Sequence, residues 1–187
     1  MRKIKISHEV PICLLEDSRK FNDYDFCLPH LMDESPEYRD FFLESKKQDR
    51  YIIMDNSLHE LGEAYDHKRL LHWINELLPD EFIVPDVWGD FNQSVRNAKT
   101  WMSMNFPKGV TRVAVVQAKN LGEAISCAQI YKDLGYEKIA FTYGLPYYES
   151  LFPHCSQSFA RIFGRITTLN EAYKCGVLTD NDRVHLL

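Results

Sequence analysis

Short apolar runs recur along this chain, and each stops abruptly at polar residues able to do chemistry. Tyr51-Ile-Ile-Met is followed by Asp55, and Phe82-Ile-Val-Pro by Asp86. Such a run, bounded by turn formers, marks a strand buried on both faces. The pattern predicts strands at Val10–Leu15, Tyr24–Leu28, Tyr51–Met54, Phe82–Val84, Arg112–Val116, Lys138–Phe141 and Arg183–Leu187. Between them the spacing turns helical. Tyr65–Leu78 puts Leu70, Leu71, Trp73, Ile74, Leu77 and Leu78 on one broad face, and Pro79-Asp80 stops it. Phe91–Asn105 follows Asp90, which reads as its N-cap. Leu121–Leu134 opens with Asn120 and Glu123 in a capping-box arrangement and closes at Gly135, and Ser158–Lys174 ends at Gly176.

Strands alternating with helices of this length build right-handed βαβ units and a parallel sheet. The expected fold class is α/β with seven strands in a single domain, residues 1–187. An open doubly wound sheet and a (β/α)-barrel fit the alternation equally. No Gly-x-Gly-x-x-Gly or Walker-type loop follows a strand, which lowers the case for a nucleotide-binding sheet. In parallel α/β folds ligands and catalysis collect past the carboxyl ends of the strands, so the polar exits define where a site is expected.

Composition narrows the classes further. With 187 residues and 45% hydrophobic content the chain can bury a real core, and nothing in it has the bias of a disordered segment. A net charge of -5 argues against binding nucleic acid by overall charge, while leaving room for a local basic groove. The five cysteines, Cys13, Cys27, Cys127, Cys155 and Cys175, are odd in number, widely spaced and without a Cys-x-x-Cys pair. They read as reduced thiols of a cytosolic protein, with neither a metal site nor a cofactor expected. The opening Met1–Ser7 lacks the apolar stretch of a signal peptide, and no run is long enough to span a membrane.

At the exits, Asp55-Asn56-Ser57-Leu58-His59-Glu60 packs several polar groups into one turn, where Asp55 is either a general base, a ligand clamp or the cap of the turn. Asp86 directly follows a buried run and, if partly buried, needs a partner. Paired N–H donors on a guanine-like base would supply one. Gln117 after the fifth strand offers both an acceptor and donors, or is a surface amide at a strand end. Gly144 after the sixth either lets backbone approach a ligand or simply turns the chain.

The ordered series His30-Leu31, Asp55-Asn56-Ser57, Val84-Pro85-Asp86, Val116-Gln117, Tyr143-Gly144 and His185-Leu186-Leu187 resembles the (β/α)8-barrel transglycosylases that exchange guanine for a 7-deazaguanine base, the tRNA-guanine transglycosylases and their DNA-modifying relatives in phages and bacterial genomic islands. The resemblance runs from about Tyr24 to the last residue. It implies a barrel with about seven of its eight strands in this chain. It also implies a base-exchange transferase whose partners are nucleic acid and a 7-deazaguanine, in the cytoplasm of a bacterium or phage-infected host. In the family pattern Asp55 matches the acid beside the reacting base, for proton transfer or positioning. Asp86 matches the acid that reads the donor edge of the base, and Gln117 and Gly144 match residues facing it. His30, Asn56 and Ser57 fall in matching segments, with the part of His30 in the chemistry left open.

Departures from the pattern carry information too. Asn56-Ser57-Leu58-His59-Glu60 stands where the tRNA enzymes have Ser-Gly-Gly-aromatic-Gln, which moves the resemblance toward the DNA-acting branch, and the Cys-x-Cys-x-x-Cys zinc motif of the tRNA enzymes is absent. Base exchange with retention needs a carboxylate that attacks the sugar and a second group that protonates the leaving base. The family's attacking Asp comes near the eighth strand, beyond Arg183–Leu187, so a longer natural protein, a partner subunit or a homo-oligomer is expected to complete the barrel. Asp180 and Asp182, before the last strand, are not nominated. Two alternatives stay open: a non-catalytic subunit that binds base or nucleic acid, and an unrelated barrel enzyme acting on a small metabolite. Candidate nucleic-acid contacts are Lys46, Lys47 and Arg50, Arg161 and Arg165, and the aromatic Tyr143, Tyr147 and Tyr148. A solvated helix face explains the basic residues as well, and core packing explains Tyr147 and Tyr148.

Overall fold

The computed structural model describes residues 4–187, so the first three residues of the opening segment lie outside the described residues. The chain groups into two compact units, Met1–Ile83 with Asn105–Thr111, and Val84–Met104 with Arg112–Leu187.

In the first unit a 3-10 turn, Ile12–Leu14, leads into α1 (Leu15–Ser18), followed by β1 (Asp25–Cys27), α2 (Pro29–Glu34), α3 (Pro36–Lys47), β2 (Ile52–Met54), α4 (Leu58–Leu61), α5 (His67–Leu77) and β3 (Glu81–Ile83). The strand expected at Val10–Leu15 is therefore helical. Pro11 has no N–H for a ladder, the Leu14 N–H instead closes a turn onto the Pro11 carbonyl, and Leu14 is 45% exposed. Apolar content there reflects a turn, not a strand. The three strands pair in parallel in the order β1-β2-β3, with Cys27 opposite Met54 and Met54 opposite Phe82. Every residue of β2 is buried, as its unbroken apolar run implies.

Local chemistry explains the helices of this unit. The Asp66 carboxylate accepts from the Lys68 and Arg69 N–H groups and starts α5, which buries Leu70, Trp73, Ile74 and Leu77. Leu71 and Leu78, expected on the same face, stay outside the buried set, and Leu78 sits in the left-handed region at φ 51 as the helix ends. The α3 helix was not foreseen, yet it carries ordinary start signals: Ser35 Oγ accepts from the Tyr38 N–H, and Pro36 and Glu37 occupy the first turn. Beneath the strands, buried Asp25 takes three contacts from the Arg50 guanidinium, at 2.7, 2.8 and 2.9 Å. Lys46 pairs with Asp80 and Lys47 with Glu44. The basic residues ahead of β2 thus have acidic partners inside the unit.

The second unit carries α6 (Phe91–Met102), β4 (Thr111–Val116), α7 (Leu121–Asp133), β5 (Lys138–Phe141), α8 (Pro146–Leu151), α9 (Gln157–Lys174) and β6 (Arg183–Leu186). Its strands pair in parallel as β4-β5-β6, with Val115 opposite Ala140 and Ala140 opposite His185. The N-caps expected at Asp90 and Asn120 are present, accepting from the Gln93 and Glu123 N–H groups. The α9 helix buries Ala160, Gly164, Thr168 and Ala172, a stripe of small residues spaced by four. Small size lets α8 come close: a Cβ added at Gly164 would sit 2.4 Å from the Tyr148 Cβ, and Tyr147 and Thr168 share a hydrogen bond of 2.7 Å. Tyr147 and Tyr148 are accordingly buried core residues, not a stacking surface. The larger apolar residues of α9, among them Phe159 and Ile166, lie exposed.

Six strands are present among the described residues instead of seven, and every pairing within the two units is parallel. The fold class is mixed α/β. No helix among the described residues is long and apolar enough to cross a membrane.

Candidate functional site

The first cluster forms where β2 ends. Asp55 extends the ladder by one residue, its N–H donating to the Cys27 carbonyl at 2.8 Å. Its side chain then turns the chain, one carboxylate oxygen accepting from the Ser57 N–H at 2.8 Å. Asn56 repeats the device one residue on, accepting from the Leu58 N–H at 3.0 Å, while its carbonyl accepts from Tyr65. These successive Asx turns force Ser57 into the left-handed region, φ 56, which costs a residue with a Cβ roughly 1 kcal/mol. Strain of this kind persists only where the surroundings hold it, and here they do. Ser57 is buried and its hydroxyl shares a 2.8 Å hydrogen bond with His30 Nδ1.

His30 stands at the start of α2, directly after Pro29 at the first helical position. Thus His30, Asp55 and Ser57, scattered in the sequence, are brought together, with Asn56 in the same turn. The arrangement is not a hydrolytic triad, because the Asp55 carboxylate bonds the serine's backbone N–H and the imidazole bonds the serine hydroxyl. Nearby Cys27 is fully buried. Burial first, and then the Asp55 and Asp25 carboxylates, push its thiol well above the usual range, so it is no nucleophile at neutral pH.

A second cluster forms in the other unit at the exits of the segment through Val84 and of β4. The Val84 N–H donates to the Val113 carbonyl at 2.9 Å, which carries the extended chain up to Pro85 and Asp86. Asp86 is buried and accepts a 2.6 Å hydrogen bond from Gln117 Nε2. The other atom of the same amide, Gln117 Oε1, accepts from the Gly89 N–H at 2.8 Å. Gln117 is 1% exposed, which overturns its reading as a surface amide. It clamps the loop after Asp86 to the end of β4.

Two side chains that the sequence reading passed over complete this clamp. Ser94 Oγ accepts from the Val87 N–H and donates to the Val87 carbonyl, and Asn97 donates to the Pro85 carbonyl at 3.1 Å. Both lie on α6, three residues apart. Their signal was small polar residues beside the apolar stripe of Val95, Ala98 and Trp101. Behind them, burial pushes the Cys127 thiol up to about 11.

Gly144 follows β5 in a buried loop. The close approach at this glycine is made by Arg161: a Cβ there would lie 3.1 Å from Arg161 Nε. Neighbouring Tyr143 is 44% exposed, with the Arg161 and Arg165 guanidinium carbons 5.2 and 5.8 Å from its ring centroid.

Elsewhere, the Asp182 carboxylate accepts from the Thr179 N–H and hydroxyl and pairs with Lys132, so it is tied into its loop. Among the described residues no group of three or more His, Cys, Asp or Glu is placed to hold a metal ion. Compared with models of protein families, and with curated proteins, the chain matches none.

Proposed function

We propose that this protein is a base-exchange transglycosylase of (β/α)-barrel form, replacing guanine in nucleic acid, DNA in preference to tRNA, with a 7-deazaguanine derivative. The observation that carries this reading is the Asp86–Gln117 pair. Two residues expected to face one base stand at successive strand exits, buried and in contact at 2.6 Å. A buried carboxylate aimed at paired N–H donors suits the edge of guanine, and the amide beside it holds that carboxylate in one orientation. The first cluster adds support. Ser57 occupies the place where the tRNA enzymes carry the first glycine of their Ser-Gly-Gly run, and its backbone has the left-handed conformation that glycine adopts most readily.

In this reading Asp86 recognises the base. Asp55, held by its turn, protonates or positions the departing guanine. Exchange then requires a carboxylate to attack the anomeric carbon as the bond to guanine breaks. The resulting covalent glycosyl intermediate is resolved by the incoming 7-deazaguanine, which forms the new glycosidic bond. No residue is assigned here to the attacking group.

The test is incubation with labelled guanine and either DNA or tRNA, followed by recovery of label in the polymer. Label in DNA is expected, and its loss in Asp86→Asn follows because an amide presents donors to donors. Binding of guanine by Asp86→Asn with unchanged affinity would refute the recognition role. Tight guanine binding without exchange would instead favour a base-binding subunit.

A further inference from the structure

We infer that Tyr143, Arg161 and Arg165 form a contact site for single-stranded nucleic acid, the arginines engaging backbone phosphate and the tyrosine ring stacking on a base. The inference rests on the transglycosylase reading and names where the polymer lies on the second unit. Three observations carry it.

The first is exposure at a strand exit. Thr142, Gly144 and Leu145 around Tyr143 are buried, yet the Tyr143 ring is 44% exposed two residues past the end of β5. Ligands of parallel α/β folds gather on that side of the sheet. An aromatic side chain exposed there can stack on a base of any identity.

Charge is the second. Arg161 and Arg165 lie four apart on α9, a spacing at which like charges repel. Both guanidinium groups nonetheless sit within 6 Å of the one ring. Arg161 reaches Glu149 only at 3.3 Å, and both partners of that pair keep solvent contact. Arg165 donates to an oxygen of Leu187 at 2.6 Å. So two positive charges are concentrated at one ring in a chain of net charge -5. A phosphate between the two forks would relieve their repulsion and match their geometry.

Third, the backbone makes room for this arrangement. The missing Cβ at Gly144 lets Arg161 lie against the loop, its Nε, Cδ and Cζ at 3.1 to 3.3 Å from where that atom would be. The guanidinium is thereby fixed beside the ring instead of trailing into solvent. A half-exposed tyrosine flanked by two phosphate-seeking forks suits an unpaired strand, because a base within a duplex has no free face to stack.

Fluorescence anisotropy of a labelled single-stranded DNA oligonucleotide, titrated with the full chain over a series of salt concentrations, tests this. For Arg165→Gln the slope of log affinity against log salt should fall by about 0.7, one phosphate contact on a single strand. Tyr143→Leu should weaken binding roughly tenfold with the slope unchanged. Arg165→Lys, which keeps the charge, should keep the slope, so the result does not depend on whether the Gln variant folds. Identical affinities and slopes for all these proteins would overturn the inference, as would equal binding to the matching duplex. Guanine affinity, measured alongside by calorimetry, separates the two readings. Oligonucleotide binding that depends on these residues without guanine binding sinks the transglycosylase reading alone. Guanine binding without any oligonucleotide binding sinks this inference alone.

Discussion

Replacing Gln117 by Leu removes the clamp on Asp86 while leaving a side chain of similar volume. Two hydrogen bonds go: the one from Nε2 to the Asp86 carboxylate at 2.6 Å and the one from the Gly89 N–H to Oε1 at 2.8 Å. A bond to a charged group contributes about 1.5–3 kcal/mol and a neutral one about 1 kcal/mol. With Gln117 1% exposed, water has no easy access to replace either. The expected loss is therefore about 2.5–4 kcal/mol. For a chain of this length each kcal/mol shifts the melting temperature by about 2–4 °C, so Tm should drop by roughly 5–16 °C. Gln117→Glu adds a sign test. The new carboxylate faces Asp86 in a buried site, so the coupled pair keeps a proton in the folded state and its folded pKa is raised. Stability of this variant should be greatest below the unfolded carboxylate value, about 4.3, and fall as pH rises through the raised folded value. Urea unfolding at pH 5 and pH 8 measures both effects. A loss under about 1 kcal/mol for the Leu variant, or a Glu variant indifferent to pH, would refute the clamp.

At Ser57, two substitutions should rank against the usual order. Ala keeps the strain at φ 56 and loses the bond to His30, whereas Gly loses the same bond but relieves the strain, so the Gly variant should be the more stable by about 1 kcal/mol in chemical unfolding. In thiol labelling near pH 8, Cys13, Cys155 and Cys175 should react in the folded protein, and buried Cys27 and Cys127 only after unfolding. Because the folded Cys127 thiol is pushed up to about 11 while an unfolded thiol ionises near 8.5, stability should fall as pH rises from about 9 to 11, which alkaline melting curves will show.

The elements most readily legible in the sequence were those whose own residues settle the matter. Ile52–Met54 is apolar at every position and is buried at every position. Asp90 and Asn120 cap the helices that follow them with their own side chains. Val10–Leu15 misled because an apolar run of that length fits a strand, a turn or a short helix, and Pro11 decides only when the ladder partner is considered. The helix expected over Ser158–Lys174 is present as α9, but nothing in that reading reveals that its buried stripe is the small one, Ala160 to Ala172. That choice is made by the close approach of Tyr148 on α8, a partner the local pattern does not contain.

The candidate site divides along the same line. Which residues stand at strand exits can be read from the chain alone, since a buried strand must end where polar residues begin. Asp55, Asp86, Gln117 and Gly144 follow from that alone. What each side chain does there is set by packing between distant elements. That packing placed His30 against Ser57 across 27 residues and Gln117 against Asp86 across 31, and it set Arg161 and Arg165 around Tyr143. Exits are a property of the local chain, whereas hydrogen bonds and charge neighbours belong to elements distant in sequence that the parallel strands bring side by side.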